Sequence, residues 1–168
     1  LRRVKLVAGS KLYAGNMVRA VNVWAVSVVR YTAGVLDWKE QELQALDVKT
    51  RKILTMNGAF HMRSSVDRLY LKRNVGGRGL ISVEDCVRKE ELGLREYVRA
   101  SDEWMLKVVA EGMPESEPKA EFERRRMDGR WNRLKEKKLH GKYFNGVKEI
   151  VVAPSEDIFI VILNLRSR

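Results

Sequence analysis

The chain is poor in the residues from which reactive or cross-linked sites are usually built. Its 168 residues include one cysteine, Cys86, so no disulfide can close within it and no cysteine-based zinc site can form. Cys86 falls on the apolar face of an expected helix and reads as a small buried side chain. There are two histidines, His61 and His140. No serine or cysteine stands with either in a nucleophile pattern, so both read as loop residues, with a histidine-based enzyme as a rival reading. Three prolines and twelve glycines exclude a low-complexity polymer. The longest apolar run, Ala20 to Val29, is interrupted by Asn22 and Ser27 and flanked by Arg19 and Arg30. A membrane span needs roughly 20 apolar residues, so this run reads as a buried helix and no membrane partner is expected. No secretory signal is visible, which points to the nucleus or cytoplasm. A start at Leu1 reads as a fragment of a longer chain.

Positive charge is abundant and unevenly placed. The net charge is +11. Residues 1–80 hold 15 Lys and Arg against 5 Asp and Glu, a net +10, while residues 81–168 hold 18 against 17, a net +1. With 45% hydrophobic residues the chain can also build a core. A basic excess confined to one half favours a polyanion, the ordinary alternative being charge for solubility.

Apolar spacing predicts a mainly α protein. Residues 12–35 read as a helix with Met17, Val21, Trp24, Val28 and Val29 on its apolar side and Gly34 at its end. Asp37-Trp38-Lys39-Glu40 matches a capping box that opens a second helix over 38–56. On it Leu43, Leu46, Thr50, Ile53 and Leu54 share one face and Arg51 and Lys52 project away, with a weak Asp47–Arg51 pair. Asn57-Gly58 is a turn, and Ser64 or Ser65 can cap a short helix over 66–71. Ser82 opens a helix to about 111, with Val83, Cys86, Val87, Leu94, Tyr97, Val98, Trp104, Met105 and Val108 along one side. An acidic, proline-containing linker over 113–118 leads to a basic helix over 119–139, with Met127, Trp131 and Leu134 as its apolar strip. Ile158 to Leu163 is an apolar run that can pair as a short C-terminal strand.

Candidate site residues lie in the first half. Lys49, Arg51, Lys52, Arg68, Lys72, Arg73 and Arg78 supply the charges that neutralise phosphates, and Arg63 lies among them. Gly76, Gly77 and Gly79 form a turn where backbone amides can approach an anion. A solvated helix face and an ordinary turn is the plainer alternative. Gly76-Gly77-Arg78-Gly79 lacks the Lys-Ser/Thr of a phosphate-binding loop, so nucleotide hydrolysis is not supported.

Several motifs in order carry a resemblance: Arg30-Tyr31-Thr32-Ala33-Gly34, Asp37-Trp38, Leu46-Asp47 with Thr50-Arg51-Lys52, Leu54-Thr55-Met56, Val66-Asp67-Arg68-Leu69-Tyr70, and Gly76-Gly77-Arg78-Gly79-Leu80. Trp131 with Lys138-Leu139-His140-Gly141 is a weaker match. Over about residues 1–145 the chain resembles the thumb and post-thumb region of reverse transcriptases from non-LTR (LINE-type) retrotransposons. That resemblance implies a helical thumb tracking template–primer, RNA or an RNA–DNA hybrid as partner, and a palm domain missing from this chain. The family usually has a His-Pro pair near 57–63, where this chain reads Asn57-Gly58-Ala59-Phe60-His61-Met62-Arg63, and the likeness stops after about 150. The family's later zinc knuckle and endonuclease are absent. Polymerases hold two metals on palm carboxylates including an Asp-Asp pair. No Asp-Asp occurs here, and Glu84-Asp85 and Glu156-Asp157 open a helix and sit in the unmatched tail.

The expectation is therefore a helical thumb-like bundle of four or five helices, with a thumb-like domain over 1–112, a linker over 113–118, a basic helix over 119–145 and an unmatched tail, disordered or a readthrough of a decayed copy, over 146–168. No catalytic residue, metal or cofactor is expected in the chain. Its function would be phosphate binding to template–primer without polymerisation. The alternatives are a helical interaction module and a decayed retroelement relic, neither of which binds nucleic acid.

Overall fold

The structure, a computed structural model, describes residues 1–136. The expected helix end at 139, His140 and the tail with its strand lie outside the described residues. Within them the protein is mainly α and no strand forms; the nearest thing is an isolated bridge between Ala33 and Leu36.

Helix α1, Arg2–Ala8, was not predicted. It buries Val4, Val7 and Ala8 at helical spacing. The expected helix over 12–35 is a rod in three parts: α2 (Ala14–Ala20), a π-helical segment (Val21–Val26) and α3 (Ser27–Thr32). The widened π turn changes which side chains face inward. Met17, Val18 and Val21 are buried, and the next inward position is Val26, five residues on, rather than Trp24 or Ala25. Trp24 and Val28, expected in the core, are therefore exposed. Trp24 lies under Arg3, whose Nη1 donates to the Trp24 carbonyl at 2.9 Å. Asn22, inside the π segment, donates to the Gly79 carbonyl at 2.7 Å and accepts from the Ile81 amide at 3.0 Å.

Helix α4 runs Glu40–Met56 and starts later than expected. Its N-cap is Lys39, with no side-chain cap, so the Asp37 capping box does not form; Asp37 stands two residues outside, exposed, while Trp38 packs on the core. The inward face is the predicted one: Leu43, Thr50 and Leu54 are buried, and Leu46 and Ile53 pack beside them. Asp47 joins this face and does not pair with Arg51. Helix α5, Val66–Tyr70, follows, then a short 3₁₀ turn at Arg73–Val75.

The helix expected over 83–111 is two helices, α6 (Val83–Ala100) and α7 (Trp104–Glu111). Ser101 is extended (φ −75°, ψ 140°), and its Oγ accepts from the Glu103 amide just ahead of the restart. The break separates the predicted stripe. Val83, Cys86, Val87 and Val98 are buried as expected, with Leu92 beside them, but Leu94, Tyr97, Trp104, Met105 and Val108 are exposed. Helix α8, Lys119–Lys135, folds back along α5 and α6. Leu134 meets Leu71 there in a small second core, flanked by Val75, Met127 and Trp131.

Among the described residues Asp47 is the one buried carboxylate. At 5% exposure it accepts from Ser82 Oγ at 2.6 Å, from the Val83 amide at 2.8 Å and from the Glu84 amide at 3.3 Å. Ser82 in turn caps α6 as predicted, accepting from the Asp85 amide at 3.3 Å. A charge buried at a helix N-terminus is stabilised by amides left without intrahelical partners and by the helix dipole. Asp47→Ala orphans these donors and is expected to destabilise the protein by about 3 kcal/mol, measurable by urea unfolding.

Candidate nucleic-acid interface

The two halves of the described chain treat their positive charges differently. In the first 80 residues Arg30 forms an ion pair, with Glu90, whereas several cations of α6 and α8 are paired. Lys89 pairs with Glu123, Arg125 with Glu117, Arg126 with Glu84 and Asp85, Arg130 with Asp85, and Arg133 with Asp67. Lys49, Lys52, Lys72 and Arg78 are exposed and form no ion pair among the described residues.

The seven predicted phosphate ligands do not form one track. Lys49 and Lys52 stand on the solvent side of α4. Lys72 lines a groove with Arg30 and Lys89, whereas Arg73 and Arg78 line a separate hollow beside Gly15 and Phe60. Three of the seven are engaged within the fold. Arg68 Nε donates to the Gly76 carbonyl at 3.3 Å. Arg73 donates from Nε to the Arg78 carbonyl at 3.3 Å and from Nη2 to the Gly15 carbonyl at 2.6 Å. Arg51, expected to project away, turns inward and donates to the Tyr70 hydroxyl at 2.7 Å, its guanidinium 5.6 Å from the ring centroid. The aromatic face and buried hydroxyl attract it more than open water does.

The glycine turn also works differently from the expected anion cradle. The amides of Gly76, Gly77, Arg78, Gly79 and Leu80 donate to the carbonyls of Arg73, Lys72, Arg68, Leu71 and Leu69. All five are thus directed back onto the 68–73 segment. Gly76 and Gly79 have φ of +80° and +72°, and a Cβ on Gly77 would sit 2.0 Å from the Leu71 oxygen. These glycines close a clasp: no larger residue fits at Gly77, and the positive φ at Gly76 and Gly79 favours glycine.

Sequence reasoning missed a cleft of about 540 Å³ between α4, α5, the start of α6 and α8. Arg51, Arg125, Arg126, Arg130 and Arg133 line it, with Tyr70 among them. The signal was present: Arg126, Arg130 and Arg133 recur at helical spacing on α8. Tyr70 lies between Arg51 and Arg130, whose guanidinium is 4.9 Å from the ring centroid. Burial, with a smaller contribution from the Asp47 charge, raises the Tyr70 hydroxyl from 10.0 to about 12, against the opposing pull of Arg51 and Arg130. Burial works against the Arg126 charge, but Asp85 and Glu84 outweigh it and hold that guanidinium above its ordinary value.

Among the described residues no group of three or more His, Cys, Asp or Glu is placed to hold a metal, and no helix is long and apolar enough to cross a membrane. His61 is exposed and its Nδ1 accepts from the Arg63 amide at 3.2 Å. No family model matches the chain, no curated protein matches it, and no solved structure matches it.

Because the folded value of Tyr70 lies above the unfolded one, its contribution to stability is complete below about pH 10 and is lost as pH rises through about 12. Ultraviolet difference titration should show one tyrosine ionising near pH 12, and Tyr70→Phe should remove that late component.

Proposed function

We propose that this chain is a thumb-like part of a retrotransposon reverse transcriptase that binds template–primer nucleic acid through phosphate contacts and does not itself polymerise. The observation that carries this reading is the net +10 of the first 80 residues, with Lys49, Lys52, Lys72 and Arg78 exposed and in no ion pair among the described residues. Open lysines and arginines displace the counterions condensed on a phosphate backbone, giving affinity without sequence preference. The open contacts in this reading are Lys49, Lys52, Lys72 and Arg78. Arg68 and Arg73 shape the loop that presents two of them, and Arg51 belongs to the cleft. Titration of a fluorescent RNA–DNA hybrid at several salt concentrations tests it. Binding should weaken steeply with salt, and Lys49→Ala/Lys52→Ala should reduce the salt slope by about 2. Undetectable binding at low salt would sink the reading.

A specific observation favours a second reading, a helical module that packs on a partner domain. Helix α7 has no buried residue, although Trp104, Met105, Val108 and Val109 are on it. Trp104 is 74% exposed, and Tyr97 and Leu94 continue the apolar surface on α6. Contiguous apolar surface of this kind marks a covered face. If this reading holds, sedimentation should show self-association of the isolated chain, relieved by Trp104→Glu/Val108→Glu, with no affinity for the hybrid.

A further inference from the structure

The arginine cleft is a site in its own right. Four of its five guanidiniums are held by carboxylates: Arg126 by Glu84 and Asp85, Arg130, itself 9% exposed, by Asp85, Arg125 by Glu117 and Arg133 by Asp67. Arg125 reaches along α8 to Glu117. Arg51 differs from these. It gives one N–H to the Tyr70 hydroxyl and forms no ion pair among the described residues. A guanidinium carries five donors, so most of its capacity faces the cleft. The wall carboxylate one turn before it, Asp47, is occupied by the α6 amides.

Helix α5 anchors two of the arginines. Arg133 is anchored at Asp67, through Nε at 3.0 Å and Nη2 at 2.8 Å, and Arg51 is anchored at Tyr70. Asp67 and Tyr70 are three residues apart on one helix, so their side chains start about 5–6 Å from each other. Arg51 and Arg133 both line the cleft, and their planar forks suit the oxygens of a tetrahedral dianion. Gly129 on α8 keeps the space between them open. A Cβ there would meet only Arg133 Nη1, at 3.5 Å. The Tyr70 hydroxyl accepts from Arg51 and retains its own proton to donate.

We propose that this cleft binds a phosphomonoester or diphosphate group between Arg51 and Arg133, with the Tyr70 hydroxyl as a third contact. A phosphodiester backbone offers one negative charge per phosphate; a terminal phosphate or a diphosphate offers two or more and matches the paired arginines better. The site goes beyond the open lysine surface and stands whether or not that surface binds a duplex. Such a group has two sources, the phosphorylated end of a nucleic-acid strand and a free phosphate compound.

Calorimetric titration of the intact chain with inorganic pyrophosphate at low salt tests the site. A 5′-phosphorylated and a 5′-hydroxyl form of one short oligonucleotide are run beside it. Saturable binding of one pyrophosphate per chain is expected. Arg51→Met and Gly129→Leu should each weaken it by about tenfold or more, and Lys49→Ala/Lys52→Ala should leave it within about twofold. Gly129→Leu blocks the cleft without changing charge and sits on an open helix face, so it reads the site even if Arg51→Met fails to fold. Preference for the 5′-phosphorylated oligonucleotide assigns the site to strand ends; equal binding of both forms assigns it to free phosphate compounds. Absence of saturable pyrophosphate binding overturns the proposal. So does equal weakening by the lysine variant, which would reduce the effect to general surface charge. Loss of hybrid binding in the lysine variant with pyrophosphate binding intact would separate the two sites.

Discussion

The arrangement of the protein depends on the carboxylate of Asp47. It sits in the main core, on the same face of α4 as Leu43, Thr50 and Leu54, and a charge there is tolerated only because it is fully hydrogen-bonded. Its three donors all belong to the first turn of α6. The contact thus fixes where α6 begins and how it leaves the glycine clasp. Once α6 is set, Glu84 and Asp85 are presented at its start, away from Asp47 and toward α8. They hold Arg126 and Arg130, and with Asp67 holding Arg133 they fasten α8 along α5 and α6. One buried ion therefore positions three carboxylate–arginine contacts that it does not touch. Because α8 buries few apolar side chains, chiefly Phe122 and Leu134, those contacts define its docking more than its core does.

Much of this was legible in the sequence, and what was not has identifiable physical causes. Helical periodicity gave the inner face of α4, the end of the first rod at Gly34 and the Ser82 cap, because each depends on neighbours three or four residues away. The π segment was invisible. Val21 and Val26 are five apart, and a search at the α-helical period assigns Trp24 to the core instead. The break at 101–103 was missed for the opposite reason: the apolar stripe continues through it, but no packing partner rewards the continuation. Asp37 matched a capping box in letters, while the backbone at Lys39 is extended and Trp38 packs on the core.

The site was harder to read than the fold. Basic residues were found by counting, but counting does not distinguish a cation facing water from one closing a loop. Arg68 and Arg73 lie in the most basic stretch and bond to backbone carbonyls. Arg51 was placed on the outer face by its position on the helical wheel. A buried tyrosine nineteen residues later drew it inward. Contacts of that separation leave no local pattern.

The same physics separates two kinds of positive surface on one small protein. Lys49, Lys52, Lys72 and Arg78 are compact or lone charges in open water, where each contributes little and the effect comes from their number; salt weakens all of them together. Arg51 and Arg130 are partly shielded from water and Arg133 is exposed; Tyr70, Asp85 and Asp67 orient the three, and their geometry is set before any ligand arrives. A preorganised pair loses less conformational freedom on binding and responds to the shape of an anion as well as its charge. A continuous polyanion therefore suits the first surface and a discrete, doubly charged group suits the second. Their opposite demands explain why the most basic segment of the chain is not where its arginines converge.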